Sequence, residues 1–288
     1  MCLNAETGKL IWWRDVAPVF IDRQRQGAGP RATPTYHDGR IYCLFPRGEL
    51  VCFSANDGKK LWQTNILAAT DAGNHAGLRY YWGMSASPLI EKDLVIVQPG
   101  GASNNAVAAF HKDTGKLVWK AGSGTPGYGS PIAIDADGTR QVICSNGRSI
   151  LSVDPTNGKV LWEYRFGSQY NCNCATPLWV DNKLFLSSAY GVGSTALAVG
   201  RGGVREIWKN RNLMNQFATS MIIDGHVYGS HGDFSGLSLR VRGTGHGQTQ
   251  VGGKTPRQML SDRGRKAFAV PHGTRFFAVH RSRSRQIC

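Results

Sequence analysis

The chain has 288 residues, 41% apolar and 10% aromatic, with only 18% charged and 36 glycines, a balance that suits a core of short strands and tight turns. No apolar run approaches the ~18 residues that a membrane-spanning helix needs, which excludes such a helix, and no signal peptide opens the chain. The net charge of +15 is unevenly placed: residues 241–288 hold ten Lys/Arg against one acidic residue, Asp262, so the charge argues for a basic tail and no nucleic-acid partner is expected.

In chain order, residues 1–16 form a partial module: Cys2 to Trp12 (CLNAETGKLIW) alternates, breaks at Thr7-Gly8 and ends on Trp12. Residues 31–66 open with ATPTYHDGRIY from Ala32 and close with VCFSANDGKKLW, ending on Trp62. A long segment, 67–84, carries His75, Tyr80 and Tyr81 and reads as a loop able to cover a site. Residues 85–121 repeat the pattern as ASPLIEKDLV from Ala86 and AAFHKDTGKLVW ending on Trp119; residues 129–166 repeat it as GSPIAIDADG from Gly129 and LSVDPTNGKVLW ending on Trp162. In residues 175–210 the first half, ATPLWVDNKL, is intact, but the second, ALAVGRGGVREIW ending on Trp208, is degenerate. A last partial module, 218–240, opens with ATSMIIDGHV.

Each half-module is strand, turn, strand. Apolar residues alternate with period two, and the turns hold Thr-Gly, Asp-Gly or Asn-Gly, which accept positive φ. Two hairpins per period make four strands, the blade of a β-propeller. The reading is therefore all-β: a propeller of four-stranded antiparallel blades, an incomplete ring of about five to six. The indoles Trp12, Trp62, Trp119, Trp162 and Trp208 follow equivalent turns, which predicts one structural staple per blade junction.

The AxDxxTGxxxW-like unit resembles the PQQ-type repeat of quinoprotein alcohol dehydrogenases and of BamB-like propellers. The wider pattern, carried by Gly29–Pro34 (GPRATP), Trp82–Pro88 (WGMSASP) and Gly127–Pro131 (GYGSP), is similar to a bacterial family of PQQ-like repeat proteins without a settled activity, over about residues 1–240. The resemblance implies an extracytoplasmic, periplasmic or exported, parent protein. Since Met1-Cys2-Leu3 starts inside a repeat, upstream blades and an export signal are expected to be missing from this chain.

The other end breaks the pattern. After Gly236-Leu-Ser-Leu-Arg240 the next TGxxxW turn is due, and the chain instead runs into a Gly-rich, then basic segment. His246 to Gly252 can be encoded as CAC GGG CAA ACT CAA GTG GGT, which one base later reads Thr-Gly-Lys-Leu-Lys-Trp. Residues 241–288 are thus expected to be a frameshifted, disordered tail.

Candidate chemistry is sparse. A quinoprotein dehydrogenase would, by the resemblance, need adjacent cysteines, a tryptophan floor beneath the quinone and an aspartate base beside calcium. Here Asn173 separates Cys172 from Cys174, and Asp38, Asp57, Asp113, Asp137, Asp181 and Asp224 sit in hairpin turns. Neither a catalytic residue nor a metal ligand is assigned, and no cofactor is expected unless the alternative, a PQQ- and calcium-dependent dehydrogenase, holds. The residues preceding each Ser/Thr-Pro strand should converge near the propeller axis, which nominates Arg31, Trp82, Tyr128, Asn173 and Gln216 as a ligand site. Arg31 would meet a carboxylate and the two aromatics a flat or sugar-like group. The expected role is non-catalytic binding or scaffolding, with a protein or small molecule as partner.

Overall fold

The computed structural model describes residues 1–22, 27–72, 82–223, 225–232, 238–243 and 249–250. His75, Tyr80 and Tyr81 of the long loop, Asp224, and residues 244–248 and 251–288 of the basic tail lie outside the described residues.

Six antiparallel sheets follow one another along the chain. Blade 1 has two strands, β1 (Cys2–Leu3) and β2 (Leu10–Trp12). Blade 2 runs β3 (Thr35–His37), β4 (Arg40–Leu44), β5 (Glu49–Ser54), β6 (Lys60–Asn65), and is followed by one short helix, α1 (Ile66–Ala69). Blade 3 is β7 (Leu89–Glu91), β8 (Leu94–Val97), β9 (Val107–His111), β10 (Leu117–Ala121). Blade 4 is β11 (Ile132–Ala136), β12 (Thr139–Ser145), β13 (Ser149–Val153), β14 (Val160–Arg165). Blade 5 is β15 (Leu178–Val180), β16 (Lys183–Ser188), β17 (Gly193–Val199), β18 (Val204–Asn210). Blade 6 is β19 (Met221–Ile223), β20 (His226–His231), β21 (Ser238–Gly243), β22 (Thr249–Gln250), so its sheet continues past residue 240. Strands pair in chain order within every four-stranded sheet, and β3, β7 and β11 adjoin one another, so the blades fan outward from their first strands as in a β-propeller.

The repeat unit has one geometry. In blades 1 to 4 the outer hairpin turn is closed by a pair of backbone bonds such as Gly58 N–H to the Ser54 carbonyl and Ser54 N–H to the Lys59 carbonyl, both 2.9 Å. Glycine is required there: Gly8, Gly58, Gly115 and Gly158 hold φ between 67° and 75°. Past the turn the outer strands of blades 1 to 5 each carry a β-bulge. Trp12, Trp62, Trp119, Trp162 and Trp208 pair with Cys2, Cys52, Ala109, Ser152 and Ala196, and the residue before each tryptophan is skipped. The bulge breaks the alternation, so the indole faces the next blade while the preceding Ile11, Leu61 and Val118 stay 51%, 44% and 51% exposed.

The core is correspondingly a series of seams. Tyr42, Cys52 and Trp62 pack against Val95, Ala108 and Phe110 between blades 2 and 3. Ile96, Ala109 and Trp119 meet Val142, Cys144 and Leu151 between blades 3 and 4. Ile143, Ile150 and Trp162 meet Leu184, Leu186 and Leu197 between blades 4 and 5, and Phe185 and Trp208 meet Val227 between blades 5 and 6. Strand β9 serves two seams, Ala108 and Phe110 on one face, Val107 and Ala109 on the other, because strand residues alternate in direction.

Trp12 donates through Nε1 to the Ala55 carbonyl (3.0 Å), Trp62 to Lys112 (2.8 Å) and Trp119 to Pro155 (3.0 Å), each in the next blade's outer turn. Each indole also lies on that turn's glycine: a Cβ added at Gly58, Gly115 or Gly158 would come within 2.6, 2.5 or 2.6 Å of the ring. Blade 5 lacks this turn. Its strands pair further out, to Val199 and Val204, and its closing turn is two residues shorter, with Gly200 N–H donating to the Gly203 carbonyl (2.9 Å). Trp162 donates instead to Oε1 of the buried Gln141 (2.8 Å), whose Nε2 donates to the Gly200 carbonyl (3.0 Å).

A second chain of bonds links the blades near the axis. The amide of Thr33 donates to Ser87 Oγ (3.0 Å), that of Ser87 to Ser130 Oγ (2.9 Å), that of Ser130 to Thr176 Oγ1 (3.2 Å), and that of Thr176 to Thr219 Oγ1 (3.1 Å). The Ser/Thr-Pro motif thus has a physical role. A hydroxyl is needed to accept the neighbour's amide, and a following proline, where present, removes a donor that no ladder uses.

Candidate functional site at the blade axis

The residues just ahead of the Ser/Thr-Pro strands are held by the backbone contacts of these crossovers. Arg31 is half-buried and both terminal nitrogens of its guanidinium are engaged: Nη1 donates to the Trp82 carbonyl, Nη2 to the carboxylate of Asp22 and, at 3.3 Å, to the Gly27 carbonyl. Asp22 is buried, so its charge is compensated by this fork, and the guanidinium also lies 5.7 Å from the centroid of the Phe20 ring. Arg31 therefore serves a carboxylate of its own chain.

Trp82 and Tyr128 meet edge to face, their centroids 5.5 Å apart. Tyr128 sits between two glycines that permit close approach. A Cβ at Gly127 would fall 1.9 Å from the Ser145 carbonyl oxygen, and one at Gly129 2.6 Å from that of Ala175. Burial raises the Tyr128 phenol above its ordinary range, and the neighbouring Cys172 and Cys174 add to this against Arg31. The phenol is a neutral donor at physiological pH.

Asn173 joins this group through its backbone: its carbonyl accepts from the amides of Tyr128 (2.9 Å) and Gly129 (2.8 Å). Its side chain donates to the carbonyls of Asn146 and Phe166, both at 2.7 Å. Among the described residues, Oδ1 of Asn173, Oδ1 of Asn146 and Oε1 of Gln98 are buried without a hydrogen-bond partner. These neutral oxygens are the acceptors a ligand could use. Cys172 and Cys174 share a hydrogen bond that lowers the Cys172 thiol and, with burial, raises that of Cys174. Both are free thiols.

Arg31, Trp82, Tyr128 and Asn173 are thus linked by direct contacts. Gln216 is buried and donates to the Tyr190 hydroxyl (3.0 Å). Asp22, Gln98 and Asn146 were not nominated by the sequence. Asp22 lies nine positions before Arg31, and the two amides lie just past β8 and β12, where no motif marks them. Among the described residues no three His, Cys, Asp or Glu come together as a metal would require, and no helix is long and apolar enough to cross a membrane.

Comparison with known proteins bears on the repeat architecture. A family model described as outer membrane protein assembly factor BamB matches residues 1–248. The dehydrogenase subunit of a quinone-type alcohol dehydrogenase from Acetobacter aceti is 34% identical over 128 residues, 41% of this chain and 16% of that protein. BamB of Yersinia pestis is 24% identical over 241 residues, 78% of this chain and 55% of that protein. The crystal structure of BamB from Moraxella catarrhalis superposes with a TM-score of 0.50 at 21% identity, covering 80% of this chain and 59% of the other, a likeness of fold. This chain spans little more than half of either BamB and about a sixth of the dehydrogenase subunit.

Proposed function

We propose, since the chain belongs to the BamB family of PQQ-like β-propeller repeat proteins, that it is a non-catalytic scaffold holding extended segments of partner proteins at the outer edges of its blades. The observation that carries this reading is the repeated outer strand. β6, β10 and β14 each end the hydrogen-bonded order of their sheet and present exposed apolar side chains, Leu61, then Leu117 and Val118, then Val160. An edge strand offers unpaired backbone groups to an incoming strand, and apolar neighbours add affinity without any reactive group. The engagement of Arg31 by Asp22 supports the same reading, because it fills the strongest ligand-binding group near the axis from within. An extracytoplasmic place of action goes with this role.

The dehydrogenase reading finds less support. Calcium is held by six to eight oxygens with carboxylates prominent, whereas among the described residues the unpartnered oxygens of this group are the neutral amides of Gln98, Asn146 and Asn173, the carboxylate of Asp22 is taken by Arg31, and Trp82 meets Tyr128 edge to face. These residues do not fit a calcium-bound quinone.

The test is binding of a fluorescent extended peptide with alternating apolar residues to the full chain, followed by anisotropy. The double variant Leu61→Lys, Val118→Lys is expected to bind at least about tenfold more weakly. Undiminished affinity in that variant, or equal binding of a proline-interrupted peptide, overturns the edge-binding reading.

A further inference from the structure

We infer that the cleft between blades 4 and 5 binds a small organic anion carrying at least two acid groups. The cleft has a volume of about 610 Å³, the size of a small-molecule site, and lies where β14 and β18 run out of their sheets. Its wall holds Arg165, Lys209 and Arg211, with Ser168, Asn210 and Tyr190 between them, and among the described residues no carboxylate lines it.

The repeat register shows that this charge belongs to one junction. Arg165 and Arg211 are each the third residue after a blade tryptophan; at that place the earlier blades carry Asp15, Asn65 and Gly122. Asn65 is occupied within its own blade, where its Oδ1 accepts from the amides of Leu67 and Ala68 and caps α1, and its Nδ2 donates to the Arg47 carbonyl. Among the described residues no ion pair includes Arg165, Lys209 or Arg211, in contrast to Arg31, Arg40 and Arg140, which all meet carboxylates. Three unpaired cations around one concavity repel one another until an anion enters, and two guanidinium forks suit carboxylate or phosphate oxygens.

The aromatic wall is held in place before any ligand arrives. Tyr190 keeps a left-handed φ of 57°, uncommon for an aromatic residue, at the β16–β17 turn. Its ring stands edge to face on Tyr170 with centroids 4.9 Å apart, and its hydroxyl accepts from Gln216. A rigid ring beside two forks favours a compact ligand whose carbon frame lies on the tyrosine while its acid groups reach the arginines.

Titration calorimetry of the full chain with citrate and, separately, fructose 1,6-bisphosphate tests this. Saturable 1:1 binding of at least one is expected, the stronger arm telling carboxylate from phosphate. Affinity should fall with added salt, and Arg165→Gln and Arg211→Gln should each weaken it about tenfold or more. Lys116→Gln, an exposed cation in a blade 3 turn, should leave it unchanged. The charge-preserving Arg165→Lys and Arg211→Lys keep the test decisive if a neutral variant does not fold, since loss of the fork should still weaken binding. No saturable binding of either anion, or affinity unaltered by the arginine substitutions, overturns the inference.

Discussion

Three blade junctions and the fourth join the same kind of surface by different means. At Trp12, Trp62 and Trp119 the indole donates to a carbonyl of the next blade's outer turn and lies on that turn's glycine. At Trp162 the neighbouring turn is two residues shorter, and Gln141 joins the indole to the Gly200 carbonyl. Gln141 also accepts from Ser152 Oγ at 2.8 Å, so one buried amide oxygen serves two donors. A repeat can lose its signature turn and keep its seam, provided a polar side chain supplies the missing acceptor.

The largest effect that tests this comparison is at an intact junction. Trp62→Ala removes a buried indole between two apolar faces and is expected to lower stability by about 3–5 kcal/mol in urea unfolding of the full chain. Next, Gln141→Leu should cost about 3 kcal/mol, because Trp162 Nε1, Ser152 Oγ and the Gly200 carbonyl lose their partner together. A loss near zero would mean that the amide is incidental and the seam is held by apolar packing alone. The smallest effect separates the two turn types. Gly115→Ala adds a methyl 2.5 Å from the Trp62 ring at a φ of 68° and should cost about 2 kcal/mol. Gly200→Ala, whose added carbon would meet its nearest atom at 3.6 Å, should stay within about 0.5 kcal/mol by the same measurement.

The blades were readable from sequence because turn, strand and indole are neighbours along the chain. The two-residue period, the Thr-Gly break and a tryptophan four residues later need no knowledge of the rest of the fold. The short α1 was not readable: it depends on the Asn65 side chain capping a single turn, inside a stretch read as loop. Arg31 was placed near the axis by its distance from the Ser/Thr-Pro motif. Its assignment to a ligand carboxylate did not anticipate Asp22, whose carboxylate meets it from nine positions earlier in the chain. The cationic cleft lay hidden in the same repeat register, in the third residue after each tryptophan, but two arginines 46 positions apart signify nothing until adjacent blades bring their strand ends together.

By itself, then, the amino-acid order determined the four-stranded module, the repetition of that module and the place of an indole at each junction, because these follow from local backbone preferences and from the alternation of side chains along a strand. Only the tertiary structure decided which carbonyl each indole meets, that Gln141 replaces a shortened turn, and which charges are matched or left facing open space. Those outcomes depend on groups from different blades arriving within hydrogen-bonding reach, and short-range rules do not set that distance.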